Sequence, residues 1–337
     1  MLKLSALDQS VAAEGVTEAQ SVRDTIALAK RCEELGYARF WVSEHHNHPT
    51  IVGTAPEIVM AAIAQSTSRI RIGSAGVMLP HYAPFKVAEQ FRVLDAIAPG
   101  RIDLGLGRAP GSDQKTAYAM NPNAAQDAEQ FPANVRDLMA WVSGEPLANG
   151  HPHFGLVAHP LGETSPDVWM LGTSDYGAQV AAHFGVPYCF AHFITDGQGV
   201  ERAVSIYRDN YQPSTRFPKP IVNVCVWALA AETDEGAARL FSPRAHWKTR
   251  REHGELRNIQ SPDAIKNFDY NPSEQRRMRN LQETAIYGSA SNVYGQLKDI
   301  AARLEIDEIV VLTWTHDQQD RIRSYELLAR QGALASS

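Results

Sequence analysis

The stretch "TEAQSVRDTIALAKRCEELGYARFWVS", Thr17 to Ser43, holds a helix start, a helix stop and a strand in that order. Thr17-Glu18-Ala19-Gln20 has the form of a capping box, in which the threonine oxygen and the glutamine side chain satisfy backbone donors left free by the first turn. Val22, Ile26, Ala29 and Cys32 then recur at three- and four-residue spacing, with Arg23, Asp24, Lys30, Arg31 and Glu34 between them, which is the pattern of a helix with one apolar face. Gly36 supplies a left-handed stop. Arg39 to Ser43 follows as an aromatic and β-branched run and predicts a strand. Leu2 to Leu7 also reads as a strand, so the unit is strand, helix, strand.

The unit recurs. Thr54-Ala55-Pro56-Glu57 reads as a second capping box with proline in the first turn, ahead of a helix over Ile58 to Ser66. Ile70 to Ala75 predicts the third strand. Pro84 opens a helix through Val87, Phe91 and Leu94 to a stop at Gly100, and Arg101 to Gly105 predicts the fourth strand. Val168 to Leu171, Pro187 to Ala191, Ile221 to Leu229 and Glu308 to Trp314 complete eight, separated by helical patterns such as Gly177 to Phe184 and Val293 to Leu304. Alternating βα units predict a parallel sheet, and eight of them predict the closed (β/α)8 TIM barrel over an open doubly wound sheet.

The chain is therefore expected to be an α/β protein with a single barrel domain over 1–337, carrying two insertions. Glu145 to Pro166 is rich in proline, glycine and histidine. Arg244 to Asn280 contains Arg244, Lys248, Arg250, Arg251, Arg257, Arg276, Arg277 and Arg279, and reads either as a lid bringing cations over an anionic ligand or as a solvated surface excursion.

A formal net charge of -6 gives no general drive toward nucleic acid or an acidic membrane face, so a small-molecule substrate is expected. Cys32, Cys189 and Cys225 are far apart and set among apolar residues, which indicates neither a disulfide framework nor a thiolate metal site. No signal-peptide pattern and no apolar run near the ~20 residues of a membrane span is visible, and a cytoplasmic location is expected.

In such a barrel the loops after the strand C-terminal ends build the site. The second strand is followed by Glu44, His45, His46 and His48, the third by "SAGVMLPHYAP", the fourth by "GLGRAPG" and the fifth by "GTSDYG". The first cluster has metal-ligand chemistry, but a loop cluster needs further ligands from other strand ends, which here offer mostly Ser, Gly, Arg and Pro. No metal is expected. An anion suits the remainder better: "GTSDYG" places Thr173 and Ser174 at the start of a helix, where free backbone donors and the helix dipole favour phosphate, and Arg108 adds a fork of donors. "GLGRAPG" has the wrong spacing for a dinucleotide fingerprint.

Together, "LDQS" at Leu7, "LGYARFWVSEHHN" at Leu35, "IRIGSAGVMLPHYAPFKVAEQFRVLD" at Ile70, "GRIDLGLGRAPGSDQ" at Gly100 and "LGTSDYGAQVAAHFGVPYCFAHF" at Leu171 closely resemble the bacterial luciferase-like flavin-dependent oxidoreductases, in particular the single-chain luciferase-family oxidoreductase group 1. The resemblance runs through residue 200 and resumes more weakly at "GSASNVYGQL" and the final strand. It implies a (β/α)8 barrel binding FMN, or a deazaflavin in some branches, at the C-terminal mouth. It also implies that His45 lies beside the flavin ring with Glu44 preceding it, and that Ala75-Gly76 is a non-proline cis peptide packed on the ring. Arg108, Thr173 and Ser174 fall at the cofactor's contacts and phosphate end. Gly107 stands where luciferase's catalytic subunit has a reactive cysteine, and Thr173 where it has a phosphate-side glutamate, so the expected reaction is oxidation without light emission.

The expected activity is thus that of an FMN-dependent monooxygenase using reduced flavin and O2 on a small organic substrate, with NAD(P)H or a separate NAD(P)H:flavin reductase as electron source. His45 is the expected proton carrier, with Glu44 fixing its orientation. Two alternatives stand beside it: deazaflavin-dependent hydride transfer, and a metal-dependent hydrolase built on Glu44, His45, His46 and His48. The helix faces around Ile58 to Ile63 and Val87 to Leu94 are apolar enough for a homodimer interface, although core burial explains them too.

Overall fold

The alternating pattern closes on itself. In a computed structural model describing residues 2–109 and 111–334, the strands are β1 (Lys3–Asp8), β2 (Arg39–Val42), β3 (Arg71–Met78), β4 (Ile102–Gly107), β5 (Asp167–Gly172), β6 (Tyr188–Phe190), β7 (Val222–Ala231), β8 (Ile286–Ser289) and β9 (Glu308–Leu312). The expected bounds 1–337 and the "GLGRAPG" segment thus include a few residues, among them Pro110, that lie outside the described ones.

Every neighbouring pair is parallel, in the order β6-β5-β4-β3-β2-β1-β9-β7, and β6 pairs with β7 from Tyr188↔Val222 to Phe190↔Val224, which closes an eight-stranded barrel. The fold is the expected TIM barrel. β8 was not anticipated: it pairs only with the outer half of β7, from Ala228↔Ile286 to Ala231↔Ser289. Four residues directly after a helix carry too little alternation to announce a strand. β7 itself is buried along all ten residues, as expected of a parallel strand covered on both faces.

Two local readings change. Thr17 caps its helix through the Gln20 N–H at 3.2 Å, but the Gln20 amide reaches Asp24 instead of returning to the cap, so the box is half made. The next helix, Pro56–Ser66, starts with Ala55 at the cap position and no side-chain cap, so Thr54 does not serve as one. A full capping box forms instead at Asn271 and Glu274.

The insertions also resolve. Residues 145–166 contain no helix or strand. They are held by buried Arg92, which donates to the carbonyls of Pro160 (2.8 Å) and Thr164 (2.9 Å). The charged segment does not begin at Arg244. A helix runs unbroken from Asp234 to Glu252 across Pro243, and the Arg239 carbonyl, which Pro243 cannot serve, accepts from Ser242 Oγ at 2.8 Å. Of the helix faces singled out for a dimer, Ile63, Val87, Phe91 and Leu94 belong to the core, whereas Ile58 is 68 % exposed and Val93 and Ile97 face outward. No helix among the described residues is long and apolar enough to cross a membrane.

The N-terminal end of the barrel is closed by charge. Asp103, at the base of β4 and fully buried, is bonded to Arg39 of β2 (2.8 Å), Arg71 of β3 (2.5 Å) and the Trp41 indole N–H (2.9 Å). Arg39 continues to Glu308 of β9 at 2.9 Å, whose other contact is Ser5 Oγ of β1 at 2.6 Å, and Arg71 continues to Asp167 of β5 at 2.5 Å. Burial alone would raise the Asp103 pKa, but Arg39 and Arg71 hold the carboxyl below its usual range. Six strands are thus tied through one carboxylate.

Asp103→Asn should lower the free energy of unfolding at neutral pH by about 3–5 kcal/mol, the cost of stranding buried charged partners. The measurement is the urea midpoint. Because a depressed carboxyl contributes its full stability above its unfolded pKa and loses it as pH falls through the lower folded pKa, the gap between wild type and variant should shrink as pH falls through the acidic range.

Candidate functional site

At the C-terminal end the barrel opens into a cavity of about 730 Å³, within the range of small-molecule and cofactor sites, about 300–1,000 Å³. Leu7, Trp41, Cys189, Cys225, Trp227 and Leu312 from the barrel strands line its depth. One wall is β3, where the Ala75-Gly76 peptide is cis and the pairing with β4 shifts between Ser74 and Val77. Gly76 is required there: a Cβ would sit 2.5 Å from Leu171 Cδ1 and 2.7 Å from the Gly105 carbonyl. Ser74 Oγ bridges the irregularity through the Gly105 carbonyl and N–H, both at 3.0 Å.

The cluster after β2 divides. His45 is half-buried and lines the cavity; its Nδ1 lies 3.2 Å from Ser43 Oγ, and its N–H donates to the Gly53 carbonyl at 3.0 Å. Burial, followed by the neighbouring His48, His46 and Arg251, lowers its pKa to about 4, so the ring is neutral at pH 7. Glu44 is only 1 % exposed and is not among the cavity-lining residues. Its carboxylate accepts from Tyr82 OH (2.6 Å) and the Met78 N–H (3.1 Å), and lies 2.8 Å from His46 Nε2. The expected contact between Glu44 and His45 is therefore not made: Ser43 touches His45, and Glu44 ties the loop after β2 to the end of β3. His48 Nδ1 accepts from the Thr50 and Ile51 N–H groups, each at 3.1 Å. Glu44 and His46 meet each other, while His45 turns to Ser43 and His48 to the Thr50 and Ile51 N–H groups, and among the described residues no group of three or more His, Cys, Asp or Glu could hold a metal ion. The geometry expected of a hydrolase metal centre is absent from this loop.

The cluster of donors follows β4 and β5. Arg108 follows β4 and stands 4.5 Å over the Tyr176 ring, with no ion pair among the described residues. Thr173 and Ser174 follow β5 and line the same cavity. Ser174 is the N-cap of the helix Asp175–Phe184, yet its side chain makes no capping bond, which leaves both its hydroxyl and the first-turn N–H groups available. The predicted residues Ala75, Gly76, Arg108, Thr173, Ser174 and His45 all line one cavity; Glu44 supports it from behind.

Several lining residues escaped the sequence reading. Gln9 and Trp314 sit just after barrel strands, and their strand-end positions were the available signal, whereas Trp227 lies within β7 and had none. Trp247 had none, since it enters from the helix Asp234–Glu252 by packing on Trp314 (4.9 Å between rings) and donating to Thr50 Oγ1 at 2.9 Å. The charged segment divides likewise: Arg244, Lys248 and Arg251 line the cavity, whereas Arg250 pairs with Glu255 and Glu274, and Arg277 with Glu252.

Comparison with known proteins identifies the family. Residues 3–308 match the family model of the luciferase-like monooxygenases. The chain is 37% identical over 329 residues to a luciferase-like monooxygenase of Escherichia coli (strain K12), covering 97% of this chain and 96% of that one. It is 33% identical over 329 residues to the N-acetyl-S-alkylcysteine monooxygenase of Bacillus subtilis (strain 168), covering 98% of each. The crystal structure of apo-MsnO8 superposes with a TM-score of 0.91 at 34% identity, covering 100% of both chains. The chain belongs to the luciferase-like monooxygenase family.

His45 gives a direct test of the site's electrostatics. Its ring resonances, assigned by their loss in His45→Gln, should titrate in NMR with a midpoint at about pH 4. A midpoint near the unperturbed value of about 6.5 would show that water reaches the ring freely.

Proposed function

We propose that this member of the luciferase-like monooxygenase family is an FMN-dependent monooxygenase that uses reduced flavin and O2 to oxidise a small organic substrate. The observation that carries the reading is the make-up of the cavity. The wall at Ala75 and Gly76 carries no side chain larger than a methyl group and has no room for one on Gly76, Arg108 and the uncapped helix start at Ser174 offer donors for a phosphate, and no carboxylate among the described residues lines the space between. A flat ring carrying a phosphate tail fits that set.

Bound there, FMN would supply the electron pair and the oxygen chemistry, while the protein contributes position and dryness. Ala75 and Gly76 would hold the ring, and Arg108, Thr173 and Ser174 the phosphate. His45, neutral at pH 7, is the proton acceptor on the wall, with Ser43 setting its ring; Glu44 acts as a positioning residue by fixing the loop to Tyr82 and Met78. NAD(P)H, directly or through a separate flavin reductase, is the electron source. The outward Ile58, Val93 and Ile97 fit a homodimer, which light scattering of the purified protein reads directly.

FMN titration tests the reading first. Arg108→Gln should weaken FMN binding by about tenfold or more, since a charge-assisted hydrogen bond is lost. FMN-loaded protein, reduced without air and then mixed with aerated buffer, should regain oxidised-flavin absorbance in two phases and more slowly than free reduced FMN. Failure to bind FMN, or a single phase at the free-flavin rate, would overturn the proposal, and preferential binding of a deazaflavin would move the chain to hydride transfer. His45→Ala should keep its FMN affinity and lose about 10²- to 10⁴-fold in turnover, the typical contribution of a general acid or base.

A further inference from the structure

The cavity has more cations than one phosphate requires. Besides Arg108 it is lined by Arg244, Lys248 and Arg251, and by no carboxylate among the described residues. These three recur at i, i+4 and i+7 along the helix Asp234–Glu252, so they share one face, and that face looks into the mouth. The helix follows β7, and Trp247 docks it against Thr50 and Trp314, beside the loops that follow β2 and β9. Arg108, Thr173 and Ser174 follow β4 and β5. The two donor groups are therefore carried by different elements, the loops after β4 and β5 on the one hand and the helix after β7 on the other, and they line the same cavity.

Arg244 is the telling member. It is 7 % exposed, and its guanidinium lies 4.1 Å over the Trp227 ring. Among the described residues it has no ion pair; Asp196, the carboxylate whose field it feels, is bonded to Lys248 at 3.2 Å instead. Burial lowers its pKa to about 9, still above neutrality, so it remains charged. The ring beneath it adds a second donor without an acceptor, since Trp227 Nε1 has no hydrogen-bond partner among the described residues. A buried, charged guanidinium that has an aromatic face beneath it but no anion bonded to it is costly unless a ligand supplies that anion. Around it the wall is aromatic, with Trp227, Trp314 and Phe193 offering apolar surface.

We propose that Arg244, with Lys248 and Arg251, binds the carboxylate of an acidic organic substrate whose apolar body packs on Trp227 and Trp314, which makes Arg244 a specificity-determining residue. The proposal rests on the flavin reading only in assigning the Arg108 side to the cofactor phosphate. It deepens that reading by naming the substrate class: a monocarboxylic acid with a hydrophobic remainder.

The test is calorimetry with a matched pair of probes, phenylbutyrate and phenylbutyramide, on protein saturated with FMN and on the same protein without it. The acid should bind about tenfold more tightly than the amide, because only the acid makes a charge-assisted bond. Arg244→Gln should abolish that preference and Arg244→Lys should keep part of it, with FMN affinity unchanged in both as evidence that they fold. Equal affinity for acid and amide, no detectable binding of the acid, or a preference that survives Arg244→Gln would overturn the proposal. So would displacement of the acid by FMN, which would put it at the Arg108 side. Wild-type protein that binds no FMN but keeps an Arg244-dependent acid preference would refute the flavin reading alone.

Discussion

The carboxylate of Asp103 is the constraint on which the barrel turns. It has no solvent and two arginines, and each arginine reaches a further acid on another strand, so that the bases of β1, β2, β3, β4, β5 and β9 are held in one network. Charges taken out of water must be paired with good geometry or they destabilise the fold, and here buried Asp103 meets that demand with partners on two other strands. Closing the N-terminal end in this way leaves the C-terminal end free to be a cavity.

The two ends of the barrel therefore treat charge in opposite ways. At the base, cations and anions are matched strand to strand. At the mouth, Arg108, Arg244 and Arg251 line a space with no carboxylate in its wall among the described residues, and of the four lining cations only Lys248 has an acidic partner among them, Asp196. An excess of fixed positive charge in a partly dry pocket attracts anions, since opposite charges interact more strongly where water is excluded. His45 sits under the same influence. Its ring is kept neutral mainly by burial and then by neighbouring positive groups, and a neutral imidazole can accept a proton where an imidazolium cannot.

Much of this was legible in the chain. The strands carry apolar, β-branched runs because both faces of a parallel barrel strand are buried, and the eight runs identified the closed barrel. The strand-end rule placed the segments after β2 to β5 at one mouth, and the family resemblance singled out His45, Ala75, Gly76, Arg108, Thr173 and Ser174 within them, all of which line one cavity. The errors have physical causes. Thr54 looked like a cap, yet the helix begins after Ala55, because a capping motif states a preference that tertiary packing can decline. The helix bearing Arg244 continues through Pro243 because Ser242 satisfies the carbonyl that proline leaves orphaned, a local compensation that residue types alone do not announce.

What the sequence by itself determined is the class of each element and the identity of the strand-end residues, because periodicity and turn chemistry are local properties. Which acid meets which base was decided only in three dimensions. Glu44 adjoins His45 in the chain but turns to Tyr82, Met78 and His46, while Arg251, some two hundred residues away, acts on His45 through its charge. Neighbours in sequence point to different faces of a loop, whereas helix packing brings distant cations to a common mouth. For that reason the charged run that looked like one segment separates, in the folded protein, into a cavity-lining face and a surface of paired ions.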